Sequence, residues 1–250
     1  MRAYLSNLLV PLLLGLALLL SGFYIAAVSA APVKTPAVLE LFTSQGCSSC
    51  PPADRLLGQL AKRDDVIALS YSVDYWDYLG WKDTLGSPEN SERQRRYASV
   101  RGDGRVYTPQ IVVNGVVHAV GSNPQAVSEA IQSAETEIAD RKVPISLTRD
   151  GDTLVASLGD GGAGRSATLW AGTAKSSQSV KIARGENRGR TVTYHNNVRQ
   201  LVPMGTWSGA AGRMTIPLSK LKGSDGDRIF VLLQRGAGGP ILGAAELSTL

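Results

Sequence analysis

The sequence predicts an α/β domain over residues 31–142, followed by an antiparallel β-sandwich over residues 143–250. In the first region, short apolar runs typical of buried strands alternate with runs of helical periodicity. In the second region, about seven strand-like runs are separated by turn residues. The charge changes at the same place: residues 31–142 carry 12 basic and 14 acidic side chains, whereas residues 143–250 carry 13 and 7. The two regions therefore differ in both pattern and charge.

The first region begins with a strand, a helix and a second strand. Residues 37–42 form a mostly apolar run, which predicts a buried strand. Residues 53–63 place three leucines on one helical face. Residues 66–73 predict a second strand, parallel to the first because the connection is long enough for a crossover.

A helix, a hairpin and a closing helix complete this region. The helix is predicted to start at Ser87, whose side chain suits the N-cap position. The dipeptide Asn-Gly at 114–115 lies between two apolar runs and predicts a β-hairpin. The closing helix is expected to run from Asn123 to about Asp140.

The second region is predicted to be all β. Its strand-like runs lie at 145–149, 153–158, 167–173, 180–183, 191–201, 213–218 and 228–234. The segment Asp-Gly-Asp at 150–152 is a hairpin turn signal. This number of strands in a region of this length is typical of an antiparallel sandwich.

Residues 1–30 are predicted to be a secretory signal peptide. The segment has one arginine, a Leu-rich run, and small residues before a cleavage position after Ala30. The apolar run 8–28 is also about long enough to span a bilayer, so an uncleaved inner-membrane anchor is the alternative. Either way, the remainder is expected to be periplasmic or secreted, where disulfides persist. Contact with the membrane is expected only through this segment, if it is uncleaved.

Cys47 and Cys50 are the only cysteines of the chain, and they lie between the first predicted strand and the first predicted helix. Two thiols at this spacing can close a small disulfide, and a helix N-terminus stabilises a thiolate. Three interpretations stay open: a redox-active pair, a permanently oxidised structural bridge, and copper(I) binding by two soft thiolates. A zinc site is disfavoured, because zinc takes four ligands and the chain has only two histidines besides the cysteines.

The order of elements resembles the thioredoxin superfamily, in its glutaredoxin-like arrangement, over residues 37–140. Two motifs carry the resemblance: Cys-Ser-Ser-Cys at 47–50, and Thr-Pro followed by a predicted hairpin at 108–115. The resemblance implies that Cys47 attacks a substrate disulfide and that Cys50 resolves the mixed disulfide. It also implies a cis peptide bond before Pro109, with Thr108 and Pro109 binding an extended substrate chain. The serine pair between the cysteines departs from well-known oxidoreductases, so the direction of the reaction is not predicted.

The whole chain also resembles a family of secreted bacterial proteins, domain of unknown function 1223. Three segments carry this resemblance: residues 43–54 around the dithiol, Asp-Tyr-Trp-Asp-Tyr-Leu-Gly-Trp at 74–81, and Gly-Glu-Asn-Arg-Gly-Arg at 185–190. Membership implies a fold and a compartment outside the cytoplasm, and it implies no particular reaction.

Residues 74–105 are a long insertion relative to the thioredoxin pattern, and they concentrate aromatic side chains that include Trp76 and Trp81. These aromatics either fill a small satellite core or form a lip beside the dithiol that grips an apolar segment of a partner. In the second case, Trp76 and Trp81 bind substrate together with Thr108 and Pro109.

The densest basic cluster of the second region contains Arg184, Arg188, Arg190 and Arg199. These arginines either hold an anionic group or dock the second region onto the acidic first region.

Composition and motifs narrow the class of function. The formal net charge of +5 is too mild and too scattered to indicate nucleic-acid binding. A Gly-x-Gly-x-x-Gly string at 159–164 precedes a strand-like run and not a helix, so NAD is not predicted. No cofactor and no metal site are predicted. The sequence favours a thiol-disulfide oxidoreductase acting on envelope proteins with thiols or disulfides, and the alternative is a non-catalytic binding module with a structural disulfide.

Overall fold

The structure, a computed structural model, describes residues 35–221, 223 and 225–248. Its α-helices are α1 (Pro51–Leu60), α2 (Pro88–Arg101) and α3 (Pro124–Glu137). Its first strands are β1 (Ala37–Thr43), β2 (Val66–Ser72), β3 (Gln110–Val113) and β4 (Val117–Val120). The later strands are β5 (Ile145–Asp150), β6 (Thr153–Leu158), β7 (Ala167–Lys181), β8 (Thr191–Trp207), β9 (Gly212–Pro217), β10 (Arg228–Gln234) and β11 (Ile241–Ser248).

The prediction of an α/β, thioredoxin/glutaredoxin-like domain followed by a separate antiparallel β-sandwich is wrong. Strands from both regions form one mixed eight-stranded sheet in the order β11-β10-β7-β8-β2-β1-β3-β4, and β5, β6 and β9 form a second, smaller sheet. The two regions meet where β2 pairs with β8 in parallel, with Ser70 opposite Asn197. The physical reason is that β2 would otherwise end the first region's sheet with a row of unpaired backbone groups. β8 covers part of this edge, through that one residue pair and through the side chain of Asn196, which donates a 2.9 Å hydrogen bond to the carbonyl of Ala68.

The elements predicted within residues 31–142 are present, with small shifts of their bounds. β1 and β2 are parallel, and β3 and β4 form the predicted hairpin. α2 starts as expected, because the side chain of Ser87 accepts a hydrogen bond of 3.2 Å from the backbone N–H of Asn90. α1 starts at Pro51, earlier than predicted, since proline is well suited to a first helical turn.

The predicted strands of the second region change more. The runs at 167–173 and 180–183 belong to one strand of 15 residues, β7, which pairs with the 17-residue β8 over most of its length. The sequence does not show that β7 is continuous, because the segment between the two runs is polar. Backbone pairing with β8 keeps this segment extended, without any alternation of apolar residues. β11, which completes the far edge of the large sheet, was not predicted.

Helices cover both faces of the sheet around β1. On one face, α1 and α3 bury Leu57 and Val127 against apolar residues of β1 and β3. On the other face, Tyr97 of α2 packs edge-on against Phe42, with ring centroids 6.2 Å apart. Burial of each large side chain of this kind contributes roughly 1.5–3 kcal/mol. This second core also includes Phe230 of β10, so the two regions of the sequence share it.

The three-stranded sheet packs on the other end of the large sheet. Its apolar side chains, such as Leu154 and Ile216, are fully buried against Leu169 of β7 and Val231 of β10. The small sheet therefore packs face to face on the eight-stranded sheet, as in a sandwich. The eight-stranded sheet, however, also packs against the helices.

A buried ion pair of the first region is hydrogen-bonded to the second region. Arg93 of α2 donates a 2.7 Å hydrogen bond from Nε to Glu40 of β1, and both side chains are almost completely buried. Arg93 also donates from Nη1 to Gln234 of β10, at 3.2 Å. Buried charges are tolerated only when they are paired and hydrogen-bonded, so this contact requires β1, α2 and β10 to assemble together.

The predictions for the N-terminal segment and for the division into domains are not tested by this fold. The signal peptide at residues 1–30, and the possible anchor at 8–28, lie outside the described residues. Within the residues that the structure describes, none of the helices is long and apolar enough to cross a membrane. The division of the chain into one domain of residues 31–142 and another of residues 143–250 stays a prediction.

Candidate redox site

The cysteines lie in the loop between β1 and α1 and are joined by a disulfide bond. Cys50 is the N-cap residue of α1, and Pro51 and Pro52 occupy the first two helical positions. Proline has no backbone N–H, so these positions offer no amide to a thiolate. A thiolate here is therefore stabilised by the positive end of the helix dipole and not by the N–H groups of these two positions.

The two sulfurs differ slightly in exposure. Cys47 is 3% exposed and Cys50 is completely buried, whereas Ser48 and Ser49 between them are exposed. The hydroxyl of Ser49 lies 3.5 Å from the sulfur of Cys47. Cys47 is therefore the slightly more exposed residue of the pair, and its role as the attacking cysteine stays a prediction.

Asn187, from the loop between β7 and β8, holds the cysteine loop in place. Its Nδ2 donates hydrogen bonds to the backbone carbonyls of Gln45 (3.0 Å) and Cys47 (2.8 Å), and the side chain is buried. Gly185 and Gly189 flank it with φ angles of 74° and 82°, which favour glycine and turn the chain so that Asn187 points inward. The contribution of Asn187 was not predicted, although it lies within a motif that carried the family resemblance.

Arg184, Arg188 and Arg190 of the basic cluster differ in their contacts. Arg190 donates a hydrogen bond of 3.1 Å from Nη1 to the side-chain oxygen of Asn187 and so supports the clamp on the cysteine loop. Arg184 and Arg188 lie on the same loop and are exposed. Anion binding and domain docking by this cluster stay predictions.

The aromatic insertion lies beside the cysteine loop. Trp76 donates a 2.8 Å hydrogen bond to the hydroxyl of Thr108, and Trp81 donates one of the same length to the side chain of Gln45. Both tryptophans are half-buried, whereas Tyr78 is 77% exposed and stacks on Trp76 with centroids 6.3 Å apart. The insertion thus supplies both a small packed cluster and an exposed aromatic surface.

The peptide bond between Thr108 and Pro109 is cis, as the resemblance implied. Trp76 connects Thr108 to the insertion, and an additional Cβ on Gly46 would come within 2.9 Å of the Cβ of Trp76. The structure therefore places Trp76 beside Gly46 of the cysteine loop and joins Thr108 to Trp76, while Trp81 contacts that loop through Gln45.

A buried carboxyl group lies one helical turn beyond Cys50. Asp54 is 2% exposed, its backbone N–H bonds to the carbonyl of Cys50 at 3.1 Å, and neither of its side-chain oxygens has a hydrogen-bond partner. The pKa of Asp54 is raised to about 8, chiefly by burial; the nearby hydroxyl of Thr43 opposes this rise, and the negative charge of Asp83 adds to it. Asp54 was not predicted as a site residue, because nothing in its local pattern separates a buried aspartate from an exposed one in a first helical turn.

Asp83 is the second buried acid near the cysteine loop. Its carboxylate accepts hydrogen bonds from the backbone N–H groups of Gln45 (2.7 Å) and Leu85 (2.8 Å). Burial raises the pKa of Asp83, and these two amides oppose the rise. Asp83 is thus a structural link between the insertion and the cysteine loop, whereas the described residues give the Asp54 carboxyl no backbone donor of this kind.

A groove opens beside the start of α1. Its volume is about 480 Å³, and its lining includes Pro51, Arg55, Arg190 and His195. His195 of β8 packs flat against Gly58 of α1, where a Cβ would overlap its ring. Arg55 and Arg190 therefore place positive charge beside the disulfide.

The described residues contain no group of three or more His, Cys, Asp or Glu placed to hold a metal ion. With the bridge closed, neither sulfur is a thiolate, which is the form that copper(I) would need.

Comparison with known proteins supports a shared fold. A crystal structure of protein AGR_C_4864 from Agrobacterium tumefaciens is similar, with a TM-score of 0.76 and 33% identity over 89% of this chain and 97% of that chain. HBP35 of Porphyromonas gingivalis is similar in fold alone, with a TM-score of 0.54 and 15% identity over 88% of this chain and 77% of that chain. No curated protein matches the chain.

The model of one protein family, described as a protein of unknown function (DUF1223), matches residues 38–234. This match covers the cysteine loop, the aromatic insertion and the Asn187 loop together. The chain therefore belongs to the DUF1223 family, as its sequence motifs indicated.

Proposed function

We propose that this protein exchanges thiols and disulfides with other proteins through Cys47 and Cys50. The observation that carries the proposal is the closed bridge at the start of α1 with the partnerless carboxyl of Asp54 one turn along the helix. A carboxyl group with a pKa of about 8 can take up and return a proton near neutral pH, which thiol chemistry requires.

The exchange proceeds in two balanced steps. In the reduced protein, the Cys47 thiolate attacks one sulfur of a partner disulfide, and the partner's other sulfur leaves as a thiolate that takes up a proton from water. The Cys50 thiol then gives its proton to the ionised form of the Asp54 carboxyl and attacks the sulfur of Cys47. The Cys47–Cys50 bridge forms, the second partner thiolate leaves, and Asp54 returns the proton to solvent. The partner gains two electrons; in the reverse sequence, a partner dithiol is oxidised by the closed bridge.

The surroundings of the bridge suit a protein partner. Tyr78 and Trp76 provide an aromatic surface, and Thr108 and Pro109 lie beside it. We assign Trp76, Thr108 and Pro109 to the contact with an extended segment of the partner. We assign to Trp81 the role of holding the side chain of Gln45 through its hydrogen bond. Partners are envelope proteins with thiols or disulfides, because the predicted signal peptide directs the chain to the periplasm or the medium.

The reduction potential of the pair tests the proposal. The purified protein is equilibrated with glutathione mixtures, and its thiol state and circular dichroism are recorded together. We expect a reversible transition with the fold intact, at a potential between about −120 mV for an oxidant and about −270 mV for a reductant. Reduction that occurs only together with unfolding would contradict the proposal.

Trapping of partners is the second test. Cys50→Ser leaves Cys47 without its resolving thiol, so mixed disulfides with envelope proteins should accumulate and be released by a reductant. Cys47→Ser is the matched control and should trap far fewer. Equal trapping by the two variants would exclude Cys47 as the attacking residue.

One observation favours the alternative of a non-catalytic binding module. Cys47 is only 3% exposed, and Asn187 fixes its carbonyl. If the bridge is a permanent clip, the double variant Cys47→Ala/Cys50→Ala keeps its binding partners and loses only stability.

A further inference from the structure

The groove beside the start of α1 lies next to the disulfide, and the exchange steps proposed above do not use it. We call it the α1–β8 groove and define it by Pro51, Arg55, Arg190, Thr193 and His195. Pro51 follows Cys50 directly in the chain, and Arg190 is hydrogen-bonded to Asn187, which holds the carbonyl of Cys47. One end of the groove therefore lies beside the bridge.

The groove carries positive charge and no opposing negative charge. Arg55 and Arg190 line it, and the lining contains no aspartate or glutamate of the described residues. Burial and the positive charge of Lys62 lower the pKa of His195, so this lining side chain is mostly neutral at neutral pH. The two arginines therefore supply the charge of the groove.

Both arginines are accessible and keep donors for a ligand. Their side chains are exposed. Arg55 forms no hydrogen bond or ion pair with the described residues, and Arg190 uses one guanidinium nitrogen, Nη1, for its bond to Asn187. A guanidinium carries several N–H donors in a fork that matches a carboxylate, so each arginine can bind one.

The chain around the groove adds to its positive charge. Residues 181–195, which contain the Asn187 loop and the part of β8 that lines the groove, carry four basic side chains and one acidic side chain. The carboxyl of Asp54, in the first turn of α1, has a pKa of about 8 and is mostly protonated at neutral pH. A negatively charged partner is therefore attracted to this side of the bridge.

The dimensions of the groove favour an extended chain segment over a small anion. His195 lies against Gly58, so the groove follows α1 from Pro51 to Gly58, a rise of about 10 Å along the helix axis. An extended chain covers that distance in about three residues. A small molecule needs a site that encloses most of its surface, whereas these arginines are exposed.

We propose that the α1–β8 groove binds an acidic segment of the partner protein, within about three residues of the partner's reacting cysteine. Carboxylates of this segment pair with Arg55 and Arg190 while Cys47 attacks the partner sulfur. The inference rests on the thiol-disulfide exchange proposed above and adds its selectivity. Partners with Asp or Glu beside the cysteine react faster than partners with Lys or Arg there.

Peptide disulfides of matched sequence test this selectivity on the full mature chain in its reduced form. Each peptide has a single cysteine that is joined to pyridine-2-thiol and flanked on both sides by Glu, Gln or Lys. The Cys47 thiolate attacks the peptide sulfur, and pyridine-2-thiolate leaves and takes up a proton from water. Cys50 then closes the bridge and releases the peptide thiol.

The absorbance of the released pyridine-2-thione gives the rate of each reaction. The rate of the same peptide with dithiothreitol corrects for the effect of the flanking charges on the sulfur itself. At low ionic strength, the Glu peptide should react about fivefold or more faster than the Gln peptide, and the Lys peptide about threefold or more slower. At about 1 M salt, where the screening length is about 3 Å, the three corrected rates should agree within about twofold.

Variants of Arg55 and a matched control assign the preference to the groove. Arg55→Gln should reduce the preference for Glu over Gln to about twofold or less, and Arg55→Glu should make the Lys peptide faster than the Glu peptide. Arg95→Gln changes the net charge of the chain equally, but Arg95 is an exposed residue of α2 that lies outside the groove. It should keep a preference of about fivefold. Thermal unfolding of each variant checks that it is folded.

Two outcomes would overturn the role of the groove. They are equal corrected rates for the Glu, Gln and Lys peptides at low ionic strength, and the same loss of preference in Arg55→Gln and Arg95→Gln. Both outcomes leave the exchange reaction itself in place. If none of the peptides oxidises the reduced chain, the proposed exchange fails, and this inference fails with it.

Discussion

Asn187 donates a hydrogen bond of 2.8 Å to the backbone carbonyl of Cys47 across 140 positions of sequence. The same amide group also bonds to the carbonyl of Gln45. The loop that carries one of the family's motifs thus fixes the conformation of the loop that carries another. The redox properties of the bridge are expected to depend on this contact.

Replacing Asn187 by alanine should destabilise the protein and make the bridge easier to reduce. The change leaves two buried carbonyls without their donor, which costs about 1–3 kcal/mol of the free energy of unfolding. The rate of reduction by dithiothreitol should rise, because the cysteine loop opens more often. Urea unfolding and timed thiol titration measure the two effects.

Arg188→Ala is the matched control for the Asn187 variant. Arg188 is the next residue on the same loop, and it is exposed. Its replacement should leave both quantities unchanged. If Asn187→Ala also reduces at the wild-type rate, the loop does not restrict access to the bridge.

Asp54 should make the protein less stable as the pH rises from about 4 to about 8. Below pH 3.8 the carboxyl is protonated in the folded and unfolded states alike. Between pH 3.8 and about 8 it ionises in the unfolded chain but stays protonated in the fold, which binds the extra proton. The free energy of unfolding therefore falls across this window, by on the order of 5 kcal/mol in total, and the loss is complete above about pH 8.

Asp54→Asn removes this titration, so its stability should vary less between pH 5 and pH 8 than that of the wild type. Urea unfolding at several pH values measures the difference, and exposed Asp64→Asn is the control. The same variant should slow the release of mixed disulfides by on the order of 100-fold, since Cys50 loses its proton acceptor. Unchanged release would separate the buried carboxyl from the exchange chemistry.

The ion pair of Arg93 and Glu40 should be much more important for stability than a surface pair. Arg93→Ala leaves Glu40 buried without its partner and should cost about 3–5 kcal/mol. Arg63→Ala removes the exposed pair with Asp65 and should cost less than about 1 kcal/mol. Similar unfolding free energies for the two variants in urea would show that the buried network does not join the two halves of the sheet.

Tyr78 should contribute to the recognition of protein partners but not to the chemistry. Tyr78→Ser removes an exposed ring that stacks on Trp76, so exchange with a protein disulfide should slow about threefold to tenfold. Exchange with glutathione should be unchanged, because so small a reagent does not need the aromatic surface.

The control for Tyr78 is Val100→Ser, which removes another exposed apolar side chain, located on α2. A loss of equal size with this variant would mean that general surface polarity, and not the aromatic lip, sets the rate.

The first half of the fold could be predicted because its signals are local. Ser87 caps α2, Asn123 caps α3, and the Asn-Gly turn at 114–115 closes the hairpin of β3 and β4. Each of these signals acts within a few residues, through backbone geometry or a single capping bond. The position of the dithiol at the start of a helix followed for the same reason.

The residues that surround the dithiol could not be predicted in this way. Asn187 and Asp54 have ordinary local contexts, and only their burial against the cysteine loop distinguishes them. Burial depends on which surfaces meet, and several pairings of the same elements satisfy the same pattern of apolar and polar residues.

By itself, the sequence determined where most strands, helices and turns of residues 31–142 lie, that two cysteines share one turn, and which family the chain resembles. The tertiary structure alone decided that β8 pairs with β2, which merges two predicted folds into one sheet and brings Asn187 to Cys47. The reason is physical: the backbone groups at a strand edge are the same for every sequence. Which edge they pair with is settled only by the side chains that the whole fold buries.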